Sequence, residues 1–181
     1  MEQECCEVLD KLMIVAHPDD ESIFGGATLI KEPGWKVICL TNGDYPIRAN
    51  EFYTAMKLIG VSCEIWDYPD QYDGSFNKLQ LLKDLSKVFQ KNSFNCIVTH
   101  NLQGEYGHSQ HKSLSKILHE QKYDNLYIFN KSSAILPYKL LRKKLNLLSI
   151  YKSQIKGNIE QLMDYIVYES VVSSINHSIE L

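Results

Sequence analysis

Hydrophobic positions fall along this chain in short, nearly unbroken runs separated by amphipathic stretches of helical period. Leu12-Met13-Ile14-Val15-Ala16 is the first run, and residues 11–16 read as a fully buried strand. Residues 35–40 predict a second strand, Cys63-Glu64-Ile65-Trp66 a third, Phe94 to Thr99 a fourth and Leu126-Tyr127-Ile128-Phe129 a fifth. Between them, Phe24 to Lys31 predicts a short helix closed by Pro33-Gly34. Phe52, Ala55, Met56 and Ile59 recur at helical spacing within Arg48 to Ile59, with Gly60 as the C-terminal cap. Leu79 to Gln90 is amphipathic, and His108 to Gln121 forms the helix after the fourth strand. Beyond Pro137 the pattern predicts two helices, roughly 138–148 and 152–168, and then a tail.

Strands alternating with helices of this length imply an α/β fold, a mostly parallel sheet of about five strands covered on both faces. No repeat, low-complexity tract or linker divides the chain, so a single domain is expected over 1–181, with its core about 11–170. Right-handed crossovers predict a Rossmann-like three-layer sandwich with the first strand beside the fourth. Ligands of such sheets collect at the carboxyl ends of the strands, where the strand order reverses.

Composition narrows the partners. The 181 residues are 44% hydrophobic and 23% charged, an ordinary globular balance, and the net charge of -3 gives no footprint for nucleic acid. The dense basic cluster Lys139, Arg142, Lys143 and Lys144 reads as a solvated helical face. Five cysteines include no C-x-x-C pair. Cys39 and Cys96 sit in apolar runs as small core residues, and the adjacent Cys5-Cys6 reads as solvent-facing. Free thiols, no apolar stretch of membrane-spanning length and no basic leader predict a soluble, cytoplasmic protein.

The candidate chemistry sits where buried strands give way to loops. His17-Pro18-Asp19-Asp20-Glu21 follows the first strand, and Gly104-Glu105-Tyr106-Gly107-His108-Ser109-Gln110-His111 follows the fourth. Adjacency of those strands brings the two motifs together. Pro18 restricts the backbone between His17 and Asp20, letting both approach one ion. His108 and His111, three apart at a helix start, share a face, and only one of them need bind metal. Two histidines and a carboxylate with one open position form a common catalytic zinc set. Iron(II), cobalt or manganese suits the same set. A G-x-G-x-x-G turn is missing from the first loop, which argues against a dinucleotide.

These two motifs resemble the signatures of the PIG-L/LmbE-like family of zinc-dependent N-deacetylases. Similarity extends through Arg48-Ala49-Asn50-Glu51 with Leu58-Ile59-Gly60-Val61, Tyr68-Pro69-Asp70 and Lys152-Ser153-Gln154, so it covers roughly residues 12–155. The resemblance implies removal of an acetyl group from an N-acetylglucosamine-type sugar or its conjugate. By motif position it implies His17, Asp20 and His111 as zinc ligands, Asp19 as general base, and His108 as oxyanion stabiliser or proton donor to the amine. It also implies Tyr106 polarising the amide carbonyl, with Arg48 and Asp70 near the substrate. Glu21 would brace the metal loop, Glu51 orient Arg48, and His100 make a structural hydrogen bond. His119 and His177 read as surface residues, and Tyr45, Trp66, Tyr68 and Tyr72 as a stacking surface for a sugar.

The chain departs from the family in carrying Ser109-Gln110 where proline and aspartate often stand, which removes an expected partner of the metal site. It is also short for the family, predicting a more open site or one completed by a second subunit in a homo-oligomer. Two alternatives stand beside the deacetylase: an amidase for a larger acyl or thiol conjugate, and a metal- or glycan-binding protein without turnover. Retention of Asp19 and His108 argues against the last.

Overall fold

The computed structural model describes residues 9–154 and 159–177. Cys5 and Cys6 fall outside them, as does the side chain of His177. Six strands alternate with six helices: β1 (Lys11–Val15), α1 (Asp20–Lys31), β2 (Trp35–Thr41), α2 (Pro46–Ile59), β3 (Ser62–Tyr68), α3 (Lys78–Lys91), β4 (Cys96–Thr99), α4 (Ser109–His119), β5 (Leu126–Lys131), α5 (Tyr138–Leu148), α6 (Ile159–Val167) and β6 (Glu169–Ser173). The sheet order is β3-β2-β1-β4-β5-β6, parallel except for β6. The single-domain α/β fold and the β1–β4 adjacency are as the pattern predicts.

Alternation of β1 side chains divides the core. Met13 and Val15 join Phe24, Phe52, Met56, Leu147 and Ile166 on one face, beneath α1, α2, α5 and α6. Leu12, Ile14 and Ala16 join Leu81, Leu85, Leu114 and Leu118 on the other, beneath α3 and α4. Each fully buried large side chain contributes about 1.5–3 kcal/mol relative to exposure, so the two faces hold β1 firmly. α1 lies unusually close to that strand. A Cβ at Gly25 would stand 2.5 Å from Met13 Cε, and one at Gly26 would stand 3.2 Å from Lys144 Cγ.

Four expectations need correction. α1 begins at Asp20, not Phe24, because Asp20 and Glu21 occupy a first turn where the helix dipole favours carboxylates. The tail contains β6, which pairs antiparallel with β5; its Val171-Val172 pair is too short to stand out as a hydrophobic run. The last helix spans 159–167, and residues 152–153 belong to a turn before it. Lys144 is buried, unlike Lys139, Arg142 and Lys143. Its Nζ meets Glu169 Oε2 at 2.7 Å and Tyr165 O at 3.0 Å, while the Glu169 carboxylate also accepts N–H groups of Ala27 and Thr28.

Candidate metal centre

Strand order reverses at β1, whose neighbours β2 and β4 open a crevice at the carboxyl ends of the strands. At that end the Ala16 N–H donates to His100 Nε2 (3.1 Å), tying the β1 loop to the β4 loop. The His17 N–H donates to Asp20 Oδ2 at 2.7 Å, folding the loop back on itself. Asp19 completes the turn at φ 105°, a conformation costly for any residue with a Cβ. It stands at the N-cap of α1, yet its carboxylate makes no capping hydrogen bond. That leaves the group free for other work. Burial, then Asp20 and Glu21, push the Asp19 carboxyl well above its usual range.

Three atoms converge beside it. His17 Nδ1, Asp20 Oδ2 and His111 Nε2 are separated by 3.2, 3.3 and 3.2 Å. A tetrahedral ion with ligands at about 2.0–2.1 Å spaces them roughly 3.3–3.4 Å apart, so the triangle has the size of one face of such a site. Tautomers agree with it. His17 Nε2 lies 2.9 Å from the Gln110 side-chain oxygen, and His111 Nδ1 lies 2.7 Å from Glu105 Oε2. Each contact places the ring hydrogen on the outer nitrogen and leaves a lone pair facing the triangle. Burial disfavours a charged His17, yet Asp20 and Asp70 raise its pKa to about 10. A metal ion would have to displace a proton from Nδ1 to use that lone pair, and the carboxylates that hold the proton favour any cation there. The cluster therefore attracts a cation.

His108 and His100 stand close enough to enlarge the set, each within ligand reach of His111. His100 Nε2 is already committed to the Ala16 N–H, and its Nδ1 lies 2.8 Å from Glu105 Oε2. It is structural, as expected. His108 caps α4, its Nδ1 accepting from the Gln110 N–H at 3.3 Å. Burial and the neighbouring His111 and His17 hold its pKa down to about 4. A neutral His108 thus carries its hydrogen on Nε2.

Sequence reasoning gave no role to Glu105, whose fully buried carboxylate receives both His100 and His111. Its signal was available: an acid inside a histidine motif is the usual outer partner of a ligating imidazole. Reasoning also misjudged Gln110. The amide in place of the family's aspartate still supplies a partner to the metal site, on His17, while its Nε2 donates to Pro69 O at 2.8 Å.

The outer residues form one network. Arg48 donates to Asp70 (2.7 Å), to Asn42 (3.0 Å) and, through Nε and Nη2, to Gln154. Four of its five N–H groups are thereby engaged. Glu51 bonds the Ser153 N–H (2.9 Å) and hydroxyl rather than Arg48, so it orients the arginine through the 153–154 turn. Asp70 Oδ1 lies 3.4 Å from His17 Nε2. Glu21 braces the loop through Ser22 and the buried Tyr151, both at 2.5 Å. At the rim, the rings of Tyr106 and Tyr72 stand edge-on to His108 at 5.8 and 6.0 Å. Tyr45 is half-exposed. His119 is tucked against Ser115 O at 2.7 Å rather than free at the surface.

A mostly parallel α/β sheet with a His/Asp cluster at its reversal point places a candidate site where open sheets of this class bind their ligands. The sequence profile of the PIG-L family, described as GlcNAc-PI de-N-acetylase, matches residues 12–121, and the chain belongs to that family. An uncharacterized protein of Acanthamoeba polyphaga mimivirus is 42% identical over 187 aligned positions, covering 93% of this chain and 82% of its own. The N-acetylglucosaminyl-phosphatidylinositol de-N-acetylase of Bos taurus is 26% identical over 58% of this chain, which spans 47% of the bovine protein.

Among solved structures, the N,N'-diacetylchitobiose deacetylase of Pyrococcus horikoshii superposes with a TM-score of 0.74 at 18% identity. The alignment covers 96% of this chain and 87% of that one. The 4-carboxy-2-hydroxymuconate hydratase of Pseudomonas putida superposes at 0.63 and 18% identity, over 87% and 82%. At such identities these likenesses establish the fold, which carries more than one chemistry. No helix of the described residues is long and apolar enough to cross a membrane.

Proposed function

We infer that the protein is a metal-dependent deacetylase acting on an N-acetylated amino sugar or its conjugate. The observation that carries this reading is the triangle of His17 Nδ1, Asp20 Oδ2 and His111 Nε2, with the uncapped Asp19 carboxylate close enough to feel the charges of Asp20 and His17. His17, Asp20 and His111 would hold a divalent ion, zinc by its preference for tetrahedral nitrogen and oxygen ligands, with iron(II) as the alternative. Bound there, the ion supplies Lewis-acid polarisation and acidifies water.

The chain's own residues carry the rest. Asp19, with its raised pKa, takes the proton of the attacking water, help worth roughly 10² to 10⁴ in rate. His108, neutral with hydrogen on Nε2, donates to the oxygen that becomes negative as the amide carbon turns tetrahedral. This favours oxyanion stabilisation over delivery of a proton from an imidazolium, so the proton that Asp19 took from water goes on to the departing amine. Burial and the carboxylates of Asp20 and Asp19 raise the Tyr106 phenol, keeping its hydrogen available to the same oxygen. The fifth N–H of Arg48, without a partner among the described residues, would with Asp70 beside it receive a sugar hydroxyl or phosphate. The free thiols of Cys39, Cys63 and Cys96 support a reducing compartment.

The experiment is incubation of metal-analysed protein with N-acetylglucosamine and several of its conjugates, reading free amine beside an Asp19→Ala control. Amine release that requires both metal and Asp19 is expected. Release that survives Asp19→Ala, or none from any acetamido sugar at full metal occupancy, overturns the reading.

A further inference from the structure

A groove of about 620 Å³ runs between β3 and α3, outside the metal cluster. Volumes of roughly 300–1,000 Å³ enclose small organic ligands. Trp66 and Tyr68 lie along it. As alternate residues of β3 they share a face, with ring centroids 6.2 Å apart and planes tilted by 37°. β3 is the sheet edge, and α3 buries only Leu81, Leu85 and Val88, so both aromatic rings remain partly exposed.

The walls are polar. Three lysines, Lys36, Lys87 and Lys91, and two acids, Glu64 and Asp84, line the groove, and Lys36 and Lys87 are each paired with one of the acids. Glu64 is held by Lys36 (2.6 Å) and the Trp66 indole N–H (3.1 Å). Asp84 is held by Tyr68, Gln80 and Lys87, each at 2.8 Å. Fixed carboxylates and amides over aromatic rings match a neutral polyhydroxyl ligand, whose C–H faces stack on the rings while its hydroxyls donate to the acceptors. A nucleotide or phosphate would call for a cluster of unpaired positive charge, whereas Lys36 and Lys87 are each held by a carboxylate here.

Position supplies the second argument. The groove ends at Pro69, whose carbonyl accepts from Gln110, and the next residue, Asp70, stands 3.4 Å from His17. One end of the groove thus lies within a residue of the network around the metal cluster.

We propose that this groove binds the distal units of a glycan whose acetamido-bearing end lies at the metal cluster, making the substrate an oligosaccharide rather than a single amino sugar. The proposal rests on the deacetylase reading for the orientation of the chain, but binding in the groove is measurable without turnover.

The test is binding of N-acetylglucosamine oligomers of increasing length to the zinc-loaded Asp19→Asn protein, by calorimetry and tryptophan fluorescence. Of the two tryptophans only Trp66 lines the groove, so quenching by oligomers reports on it. Affinity should rise roughly two- to tenfold for each unit that reaches an aromatic ring. Trp66→Ala should remove that gain while leaving the single sugar unaffected. Gln80→Trp, which fills the groove from the exposed side of α3, should do the same without disturbing the core. Affinity independent of length, a length dependence that survives Gln80→Trp, or no binding of any oligomer overturns the proposal. Oligomers that bind the groove while the wild-type protein releases no amine would sink the deacetylase reading and leave the groove standing. Turnover of the single sugar with no gain on lengthening would do the reverse.

Discussion

The side-chain oxygen of Gln110 lies 2.9 Å from Nε2 of His17, so a neutral amide decides which imidazole nitrogen keeps its hydrogen. The same oxygen accepts the Gln71 N–H at 3.2 Å, and the amide nitrogen donates to Pro69 O. One buried side chain thereby registers the 69–71 turn against the metal cluster. Gln110→Leu removes both halves of this link, whereas Gln110→Glu keeps the acceptor and loses the donor. Metal affinity, read by chelator competition, should fall roughly 10–100-fold in the leucine variant and hold in the glutamate variant. Equal affinities in wild type and Gln110→Leu would refute the tautomer assignment.

Glu105 carries a heavier share, because one oxygen receives the hydrogens of His100 and His111 at 2.8 and 2.7 Å. Glu105→Ala strands two buried imidazole donors. The metal-free protein should lose about 1–3 kcal/mol for each unsatisfied group, and metal affinity should drop roughly 10–100-fold. Urea denaturation and chelator competition on one preparation measure the two effects. Unchanged values in both would show that the carboxylate is idle.

Much of this was legible in the sequence, and the boundary has physical causes. Continuous apolar runs marked β1, β2 and β4 because parallel strands buried on both faces leave no polar alternation. The two histidine motifs could be joined before any coordinates, since β1 and β4 must be neighbours at a reversal point. β6 escaped because an antiparallel edge strand of half-exposed residues lacks that signature. Glu105 and Gln110 escaped because each acts on a histidine that is remote in sequence or around a turn, a relation set by tertiary packing. Lys144 escaped for the converse reason. Its helix is basic and amphipathic, and only the buried Glu169 explains one lysine turned inward.

That pair supports a stability prediction. Lys144→Met leaves the Glu169 carboxylate without its countercharge, and breaking a buried pair from one side costs about 3–5 kcal/mol. The pH dependence separates this from lost packing. Burial lowers the Lys144 pKa below its ordinary 10.5, although Glu169 opposes this. Between the lowered folded value and 10.5 the unfolded chain holds the proton more tightly, so this group makes stability rise with pH across that window. Urea midpoints of wild type and Lys144→Met through that range should differ in slope as well as height. Parallel curves would mean that Lys144 contributes through its methylenes alone.

Asp19 joins strain and chemistry in one residue. Its φ of 105° costs of order 1–3 kcal/mol where a Cβ is present, and its carboxylate returns nothing as a cap. A residue so held is retained for what its side chain does. Glycine adopts this backbone freely but adds about 0.5–1 kcal/mol of unfolded-state entropy, so Asp19→Gly should match or exceed wild-type stability by up to about 2.5 kcal/mol, raising the melting temperature by up to several degrees. The same substitution should retain bound metal and cut amine release roughly 10²- to 10⁴-fold. Asp19→Asn removes the repulsion from Asp20 and Glu21 but keeps the strained side chain, so it should lose turnover with a smaller gain in melting temperature than the glycine variant. A lower melting temperature for the glycine variant would show that Asp19 is structural, and metal lost in parallel with activity would make it a ligand rather than the base.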